Sequence, residues 1–447
     1  MQEQILSLIE EEHIPVAHLY SLFAGMNVVD IAAIFEDIGK DKIVRIFRLL
    51  PKSMAADVFA YIEPEEQQII VEALTDSEAG DLINRLFVDD AVDVVEEMPA
   101  DVVNRVLQRV NPEKRKLINQ LLQYPEDSAG SIMTTEYVEL KAGDMIRGAF
   151  DHIRKIGINK ETIYTSYVIG KDRLLLGVVS AKDLLLADPD RTIDDIMDTN
   201  VVWANTTDDQ ESAAALFKKY GLLALPVVDK DKHLVGIITV DDVVNVIEEE
   251  NTEDFEKMAA LNPSDEPYLK TSILKLTRNR IVWLLVLMLS ATVTGGIIAG
   301  FEDALAVLPS LVVFIPMLMD TGGNAGAQTS TLIIRGMALG EINIGDILRV
   351  LGREICIALL CGLGLGVINY VRIYFMYGKS SSLSITVTAA LLITIVIAKI
   401  IGCILPMVAK KLRLDPAIMA APIITTVVDG TSLAVYFSIA RVIFHLA

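Results

Sequence analysis

Five stretches almost free of charge dominate the chain from residue 281 onward. They are Ile281–Gly300, Ala304–Ile334, Ile355–Val371, Ser380–Ala398 (continuing to Ala409) and Pro416–Ala440. About 20 apolar residues of helix cross a hydrocarbon core of roughly 30 Å. Backbone polar groups find no water there, so a spanning segment of this kind must be helical. The pattern predicts a five-helix α transmembrane domain. Inside the last stretch a single carboxylate, Asp429, stands between two uncharged runs. At mid-bilayer a carboxylate is unfavourable by roughly 2.5–3.5 kcal/mol even on the low scales. A residue that costly faces a water-filled path or a cation, which points to passage of cations.

Charge is spread unevenly. Residues 271–447 hold 13 Lys/Arg and 8 Asp/Glu, whereas residues 1–270 hold 26 against 52. The first part is therefore a strongly acidic soluble region, which disfavours nucleic acid and favours cations as partners. Cys356, Cys361 and Cys403 all lie in hydrophobic segments with no metal-type spacing, so they read as packing residues and no disulfide is expected. No apolar signal region opens the chain, which keeps the soluble part in the cytoplasm. The basic residues agree. Lys270, Lys275, Arg278, Arg280, Arg335, Arg349, Arg353, Lys410, Lys411 and Arg413 fall on one side, and Arg372, Lys379 and Arg441 on the other. The richer side is cytoplasmic, which leaves the C-terminus outside.

Residues 1–127 read as an all-α superhelical N-domain of short helices. Pro51, Pro64, Pro99 and Pro112 each fall near a first helical turn, where a missing N–H costs little. Residues 128–247 contain an internal repeat, 128–192 and 193–247. Ile132-Met133-Thr134 recurs as Ile196-Met197-Asp198, and Gly177-Val-Val-Ser180-Ala-Lys-Asp183 as Gly236-Ile-Ile-Thr239-Val-Asp-Asp242. Each copy carries a helical pattern, two strands and a final helix, and the pair resembles an α/β tandem CBS domain pair. In that family the pair senses small ligands. The Ser/Thr-x-x-Asp at Ser180/Asp183 and Thr239/Asp242 resembles its ribose-contacting motif, which would make ATP or another adenine nucleotide a cofactor. The same hydroxyls would serve as helix caps. Residues 248–280 then predict a long connecting helix, acidic at Glu248–Glu250 and basic toward Arg280, with Asn262-Pro263 as a break.

Two intramembrane patterns bear chemistry. Thr425, Thr426 and Thr431 lie three or four residues or fewer from Asp429, and carboxylate and hydroxyl oxygens suit a hard cation such as Mg²⁺ or Ca²⁺. The run Asp320-Thr-Gly322-Gly323-Asn324-Ala-Gly326 either frees carbonyls to line a pore or lets helices pack closely. The polar Asn324, Gln328, Thr329 and Ser330 favour a pore-lining or hairpin segment. Asp320 and Asp429, each beside Gly and Thr, superficially resemble an aspartic-protease dyad. Asp320 borders the glycine run, and a protease leaves the acidic region without a role, so no enzyme is expected.

The whole chain resembles the MgtE family of magnesium channels and transporters. The stretches that carry the likeness are Met319-Asp-Thr-Gly-Gly-Asn-Ala-Gly-Ala-Gln-Thr-Ser-Thr-Leu-Ile-Ile-Arg335, Leu414-Asp415-Pro416-Ala417 and Asp429-Gly-Thr-Ser-Leu-Ala-Val-Tyr436. The resemblance implies a homodimer in the cell (inner) membrane, with its pore between subunits lined by the second and fifth spans. Asp429 matches the ion-selecting aspartate and Asp415 an acid at the cytoplasmic mouth. It further implies that cytosolic Mg²⁺ closes the pore by bridging acidic faces of the N-domain, the CBS pair and the connecting (plug) helix. The matching positions are Asp89, Asp93, Asp209, Glu211, Asp242, Glu250, Glu253 and Asp254, while Gly221 and Asn245 depart from members that carry acids there. The alternatives are a transporter of Co²⁺, Mn²⁺ or Ca²⁺, and a membrane-tethered CBS nucleotide sensor.

Overall fold

The computed structural model describes residues 2–10, 16–52, 54–264, 268–302, 306, 308–377, 380–419 and 421–445. Ala304 and Lys379 lie outside the described residues. The chain divides into two compact units, Met1–Ile247 and Glu248–Ala447.

Among the described residues the first unit begins with ten short helices: α1 (Gln2–Glu10), α2 (Val16–Phe23), α3 (Val28–Asp37), α4 (Lys40–Phe47), α5 (Ala55–Ala60), α6 (Pro64–Ala73), α7 (Asp76–Arg85), α8 (Val88–Glu96), α9 (Ala100–Leu107) and α10 (Pro112–Leu121). Local chemistry sets their starts. Pro64 and Pro112 open α6 and α10, Pro99 stands at the N-cap position of α9, and Thr75 with Glu78 closes a capping box on α7. Helices this short are marginal alone. They persist because each turns an apolar face inward, as α8 does with Val88, Ala91, Val92, Val94 and Val95.

Two three-stranded sheets follow. In one, β1 (Val138–Lys141) runs parallel to β2 (Thr165–Ile169), which pairs antiparallel with β3 (Leu175–Ser180). In the other, β4 (Ala204–Asn205), β5 (Ala224–Val228) and β6 (Leu234–Thr239) repeat that topology, including the register shift near the end of the middle strand. Helices α11 (Ile146–Ile156), α12 (Ala181–Leu186), α13 (Gln210–Tyr220) and α14 (Val240–Met258) complete the two copies. The copies exchange their opening segments: Thr134 pairs with Ile237 of the second copy, and Asp198 with Val178 of the first. This accounts for both halves of the sequence repeat. A Cβ on Gly177 would come within 2.9 Å of Asp198 O, and one on Gly236 within 2.7 Å of Thr134 O.

The polar helix expected over 248–280 is divided. α14 starts inside the second repeat and ends at Met258, and the next helix, α15 (Ile273–Ala299), opens on Ser272, which accepts the Lys275 N–H at 3.3 Å. Pro263 lacks an N–H and disfavours helix at the residue before it, which fits the separation. The second unit continues with α16 (Ile315–Ala338), α17 (Ile347–Met376), α18 (Ser381–Lys411) and α19 (Ala421–Phe444). Among the described residues, four helices are long and apolar enough to cross a membrane: α15, α17, α18 and α19. α16 has the length but carries Asp320, Asn324, Gln328, Thr329 and Ser330, and it packs against α18 and α19.

The glycine run in α16 leaves no break, contrary to the favoured expectation. Its helix is continuous, and the glycines are points of close approach: Gly322 faces Thr394, Val428 and Ser432, Gly323 faces Thr425, and Gly326 faces Ile424 and Ala398 O. A helix that keeps its own hydrogen bonds is the lower-energy arrangement where side-chain-free surface is needed only for packing.

Candidate cation sites

Asp429 lies half-buried on α19. Asp320, exposed on α16, is close enough for the two negative charges to repel each other. One turn beyond Asp320, Asn324 donates from Nδ2 to Asp320 Oδ1 at 3.1 Å. Thr425 and Thr426 donate to Pro422 O at 2.9 and 3.0 Å, and Thr431 donates to Val427 O and Val428 O at 3.0 and 2.9 Å. With their protons so engaged, these hydroxyls can meet a cation only through oxygen, the polarity a cation needs. Two carboxylates and neutral oxygens, without sulfur or imidazole, suit a hard cation. Sequence reasoning weighed Asp320 only as half of a proteolytic pair; its i, i+4 relation to Asn324 was the available signal.

Asp415 precedes a 3₁₀ turn, Pro416–Met419, and its Oδ1 accepts the Ala417 N–H at 2.8 Å. On α14, Lys257 Nζ reaches Glu253 Oε1 at 2.6 Å and Asp415 Oδ2 at 2.7 Å. Burial opposes the Lys257 ammonium, but its bonds to Asp415 and Glu253 outweigh that and hold its pKa above the ordinary lysine value. Burial, then repulsion from Asp415, raises the pKa of Asp254. Three of the expected metal-binding acids thus converge here around a lysine that sequence reasoning missed. The i, i+4 spacing of Glu253 and Lys257 was legible, but the third partner comes from residue 415, far along the chain.

A second acidic pocket lies within the first unit. Asp89 and Asp90, in the first turn of α8, meet Asp242 of α14 and Glu161 from the loop before β2. Burial, followed by repulsion from Asp90, Asp242 and Glu161, pushes Asp89 well above the usual carboxylate range. Burial and Asp242 push Asp90 to about 6, and burial with Asp90 and Asp242 pushes Glu161 to about 8. Burial also raises Asp242, against the opposing hydrogen bond from Thr239. Asp89 Oδ1 and Glu161 Oε2 are shut off from solvent with no hydrogen-bond partner among the described residues. Buried oxygens left without donors are what a bridging cation would satisfy, so these residues fit a divalent ion held by oxygen. Asp90 and Glu161 were not expected, because pockets assembled from a helix turn and a distant loop leave no periodic trace.

The other expected residues are placed differently. Asp93 is exposed one turn after Asp89. Asp209 caps α13, its Oδ1 accepting the Glu211 N–H at 2.9 Å, and both are exposed. Glu250 lies on α14, half-buried. Ser180 forms a capping box with Asp183, and Thr239 Oγ1 donates to Asp242 Oδ2 at 2.6 Å. The Ser180 hydroxyl, which accepts the Asp183 N–H at 3.1 Å, therefore does the capping work set out as the alternative to ribose contact. Gly221 ends α13 with a left-handed φ of 64°, a conformation that an acid there would strain.

Residues 315–439 match the MgtE family, described as a divalent cation transporter; residues 26–127 match the MgtE intracellular N domain and 193–249 the CBS domain. The magnesium transporter MgtE of Thermus thermophilus is 35% identical over 421 residues, covering 93% of each chain. The chain belongs to the MgtE family. A magnesium transporter MgtE from Bacillus subtilis is 32% identical over 429 residues, 95% of this chain and 94% of that one. Among solved structures, the soluble part of a magnesium transporter superposes with a TM-score of 0.53 at 30% identity, covering 56% of this chain and 99% of that one. The cytosolic domain of the Mg²⁺ channel MgtE in complex with ATP gives 0.52 at 32% identity, covering 55% and 100%. The multidomain architecture expected of an MgtE protein, with helical N-domain, CBS pair and helical membrane region, is the one described above.

Proposed function

We propose that this MgtE-family chain is a magnesium channel of the cell membrane, acting as a homodimer and closed by cytosolic Mg²⁺. The observation that carries the pore is the close packing of α19 around Asp429, at Thr425, Val428 and Ser432, on the glycine face of α16, the helix that carries Asp320 and Asn324. Mg²⁺ sheds water reluctantly. Carboxylates at this position hold the hydrated ion through its waters, and a second subunit doubles the charge on the axis. An inside-negative potential supplies about 2.3 kcal/mol per charge per 100 mV, about 4.6 for a divalent ion. No hydrolysis is needed to drive entry.

Residues 1–127, 128–192, 193–247, 248–280 and 281–447 are taken as N-domain, two CBS domains, connecting segment and pore domain. The soluble part lies in the cytoplasm and the C-terminus outside. For closure, Mg²⁺ joins Asp89 to Asp242 in one pocket and screens Glu253, Asp254 and Asp415 in the other, while Asp93, Asp209, Glu211 and Glu250 add negative surface. Bridged carboxylates stabilise the compact state by mass action. We assign ATP to the CBS pair; the similar cytosolic domain of the Mg²⁺ channel MgtE was solved in complex with ATP.

Flux of Mg²⁺ into liposomes, wild type against Asp429→Ala with Mg²⁺ titrated on the cytoplasmic face, tests both parts. Flux that needs Asp429 and stops as cytoplasmic Mg²⁺ rises supports them. Flux without shut-off removes the gating, flux that ignores Asp429 removes the pore assignment, and parallel assays with Ca²⁺, Mn²⁺ and Co²⁺ fix the ion.

A further inference from the structure

Three polar side chains from three membrane helices meet away from Asp429. Thr329 of α16 donates from Oγ1 to Glu354 Oε2 of α17 at 2.8 Å. Lys399 of α18 reaches Thr329 Oγ1 at 3.0 Å and Glu354 Oε2 at 3.3 Å. Thr329 is fully buried, and Glu354 and Lys399 are only 8% and 7% exposed. An unpaired charge at this depth is strongly unfavourable, whereas the pair satisfies itself and carries no net charge. Neither ion belongs to the cation sites above.

The placement gives the triad a function. α16 is the helix that carries Asp320, near Asp429, and Asn324, which donates to Asp320; Thr329 lies between one and two turns beyond Asn324. The next residue, Ser330, donates to Met419 O at 3.1 Å, in the turn that follows Asp415. Beside the triad, the backbone of α18 at Gly402 approaches Gly326 O and the Thr329 side chain so closely that a Cβ there has no room. Sliding α16 by a turn, or rotating it by one residue, would break the Lys399–Glu354–Thr329 contacts and leave a buried charge without its partner. Hydrogen-bonded buried ion pairs are best attested as devices that fix register.

We propose that Thr329, Glu354 and Lys399 form a positioning triad that sets the height and rotation of α16, and through it both the Asp320–Asn324 face opposite Asp429 and the 416–419 mouth turn. The inference rests on the pore reading above. The triad makes no contact with the ion; it acts on permeation through the helix it holds.

The test uses the full-length protein in liposomes, with flux normalised to folded, reconstituted protein and Asp429→Ala as control. Lys399→Met and Glu354→Gln should each cut Mg²⁺ flux per molecule roughly tenfold, the scale seen when outer partners of a working group are removed, and should change the Mg²⁺/Ca²⁺ flux ratio. The reversed pair, Lys399→Glu with Glu354→Lys, should recover most of the flux and the ratio. Thr329→Val, nearly the same shape, keeps a folded protein readable if the single charge variants do not fold, and should shift the ratio while Thr329→Ser does not. Unchanged flux and ratio in every folded variant would reduce the triad to a packing element and overturn the proposal. Loss of flux in the triad variants alongside an unaffected Asp429→Ala would instead overturn the pore reading.

Discussion

Asp429 and Lys257 show how much turns on a single charge. Asp429→Asn keeps shape and removes charge, so Mg²⁺ flux should fall by an order of magnitude or more, on the scale of losing a metal-binding partner, with protein levels unchanged. Radiotracer or fluorescent-indicator uptake checks it. Lys257 serves Glu253, Asp254 and Asp415 as a built-in counter-ion. Lys257→Gln should destabilise the Mg²⁺-free protein by no more than about 1 kcal/mol, since the pair is partly solvated. The rise in melting temperature on adding Mg²⁺ should then be larger than in wild type, because the metal becomes the counter-ion these acids have left. An equal rise would mean that the acids do not share their cation with Lys257.

Secondary-structure elements carry their own lesson, since the same residue types mean different things on different elements. Ser180 reads equally as ribose contact or cap, and its capping box supplies the local reason for α12 to start. Ser180→Ala should cost about 1 kcal/mol, seen as a lower melting temperature in the absence of nucleotide. The glycines of α16 looked like a break from composition, yet the helix runs through them because α18 and α19 press against that face. Gly402→Ala should cost about 1–3 kcal/mol through overpacking, measured by thermal unfolding in detergent. Pattern alone could not choose here, because close packing and an exposed backbone both call for residues without side chains.

At the scale of the molecule, the acidic pocket couples protons, metal and stability. Folding raises Asp90 to about 6 and Glu161 to about 8. The Mg²⁺-free folded pocket therefore holds protons that the unfolded chain has released, so its contribution to stability is greatest at low pH and is lost as pH rises through about 6 and then about 8. Melting curves of the whole protein from pH 5.5 to 8.5 with chelator should show that decline. Saturating Mg²⁺ should reduce it, adding about 2.7 kcal/mol at a hundredfold excess over the dissociation constant. Asp89→Asn with Asp242→Asn should flatten the pH dependence and weaken the Mg²⁺ effect; a wild-type response in that variant would remove the pocket from the metal response.

Hydrophobic runs, Pro and capping residues, the Ile-Met and Gly-Val-Val-Ser repeats and the lone Asp429 determined the architecture from sequence, because each acts through neighbours a few residues away or through transfer between water and lipid. They also marked Asp89, Asp242, Glu253, Asp254 and Asp415 as acids of interest, through the family resemblance. The tertiary structure alone decided which acids meet. It set Asp320 beside Asp429, Lys257 among three carboxylates, Glu161 and Asp90 against Asp89, and Glu354 with Lys399 behind α16. Charge has no period along a chain, and the attraction or repulsion that gives it meaning depends on distances that only packing creates.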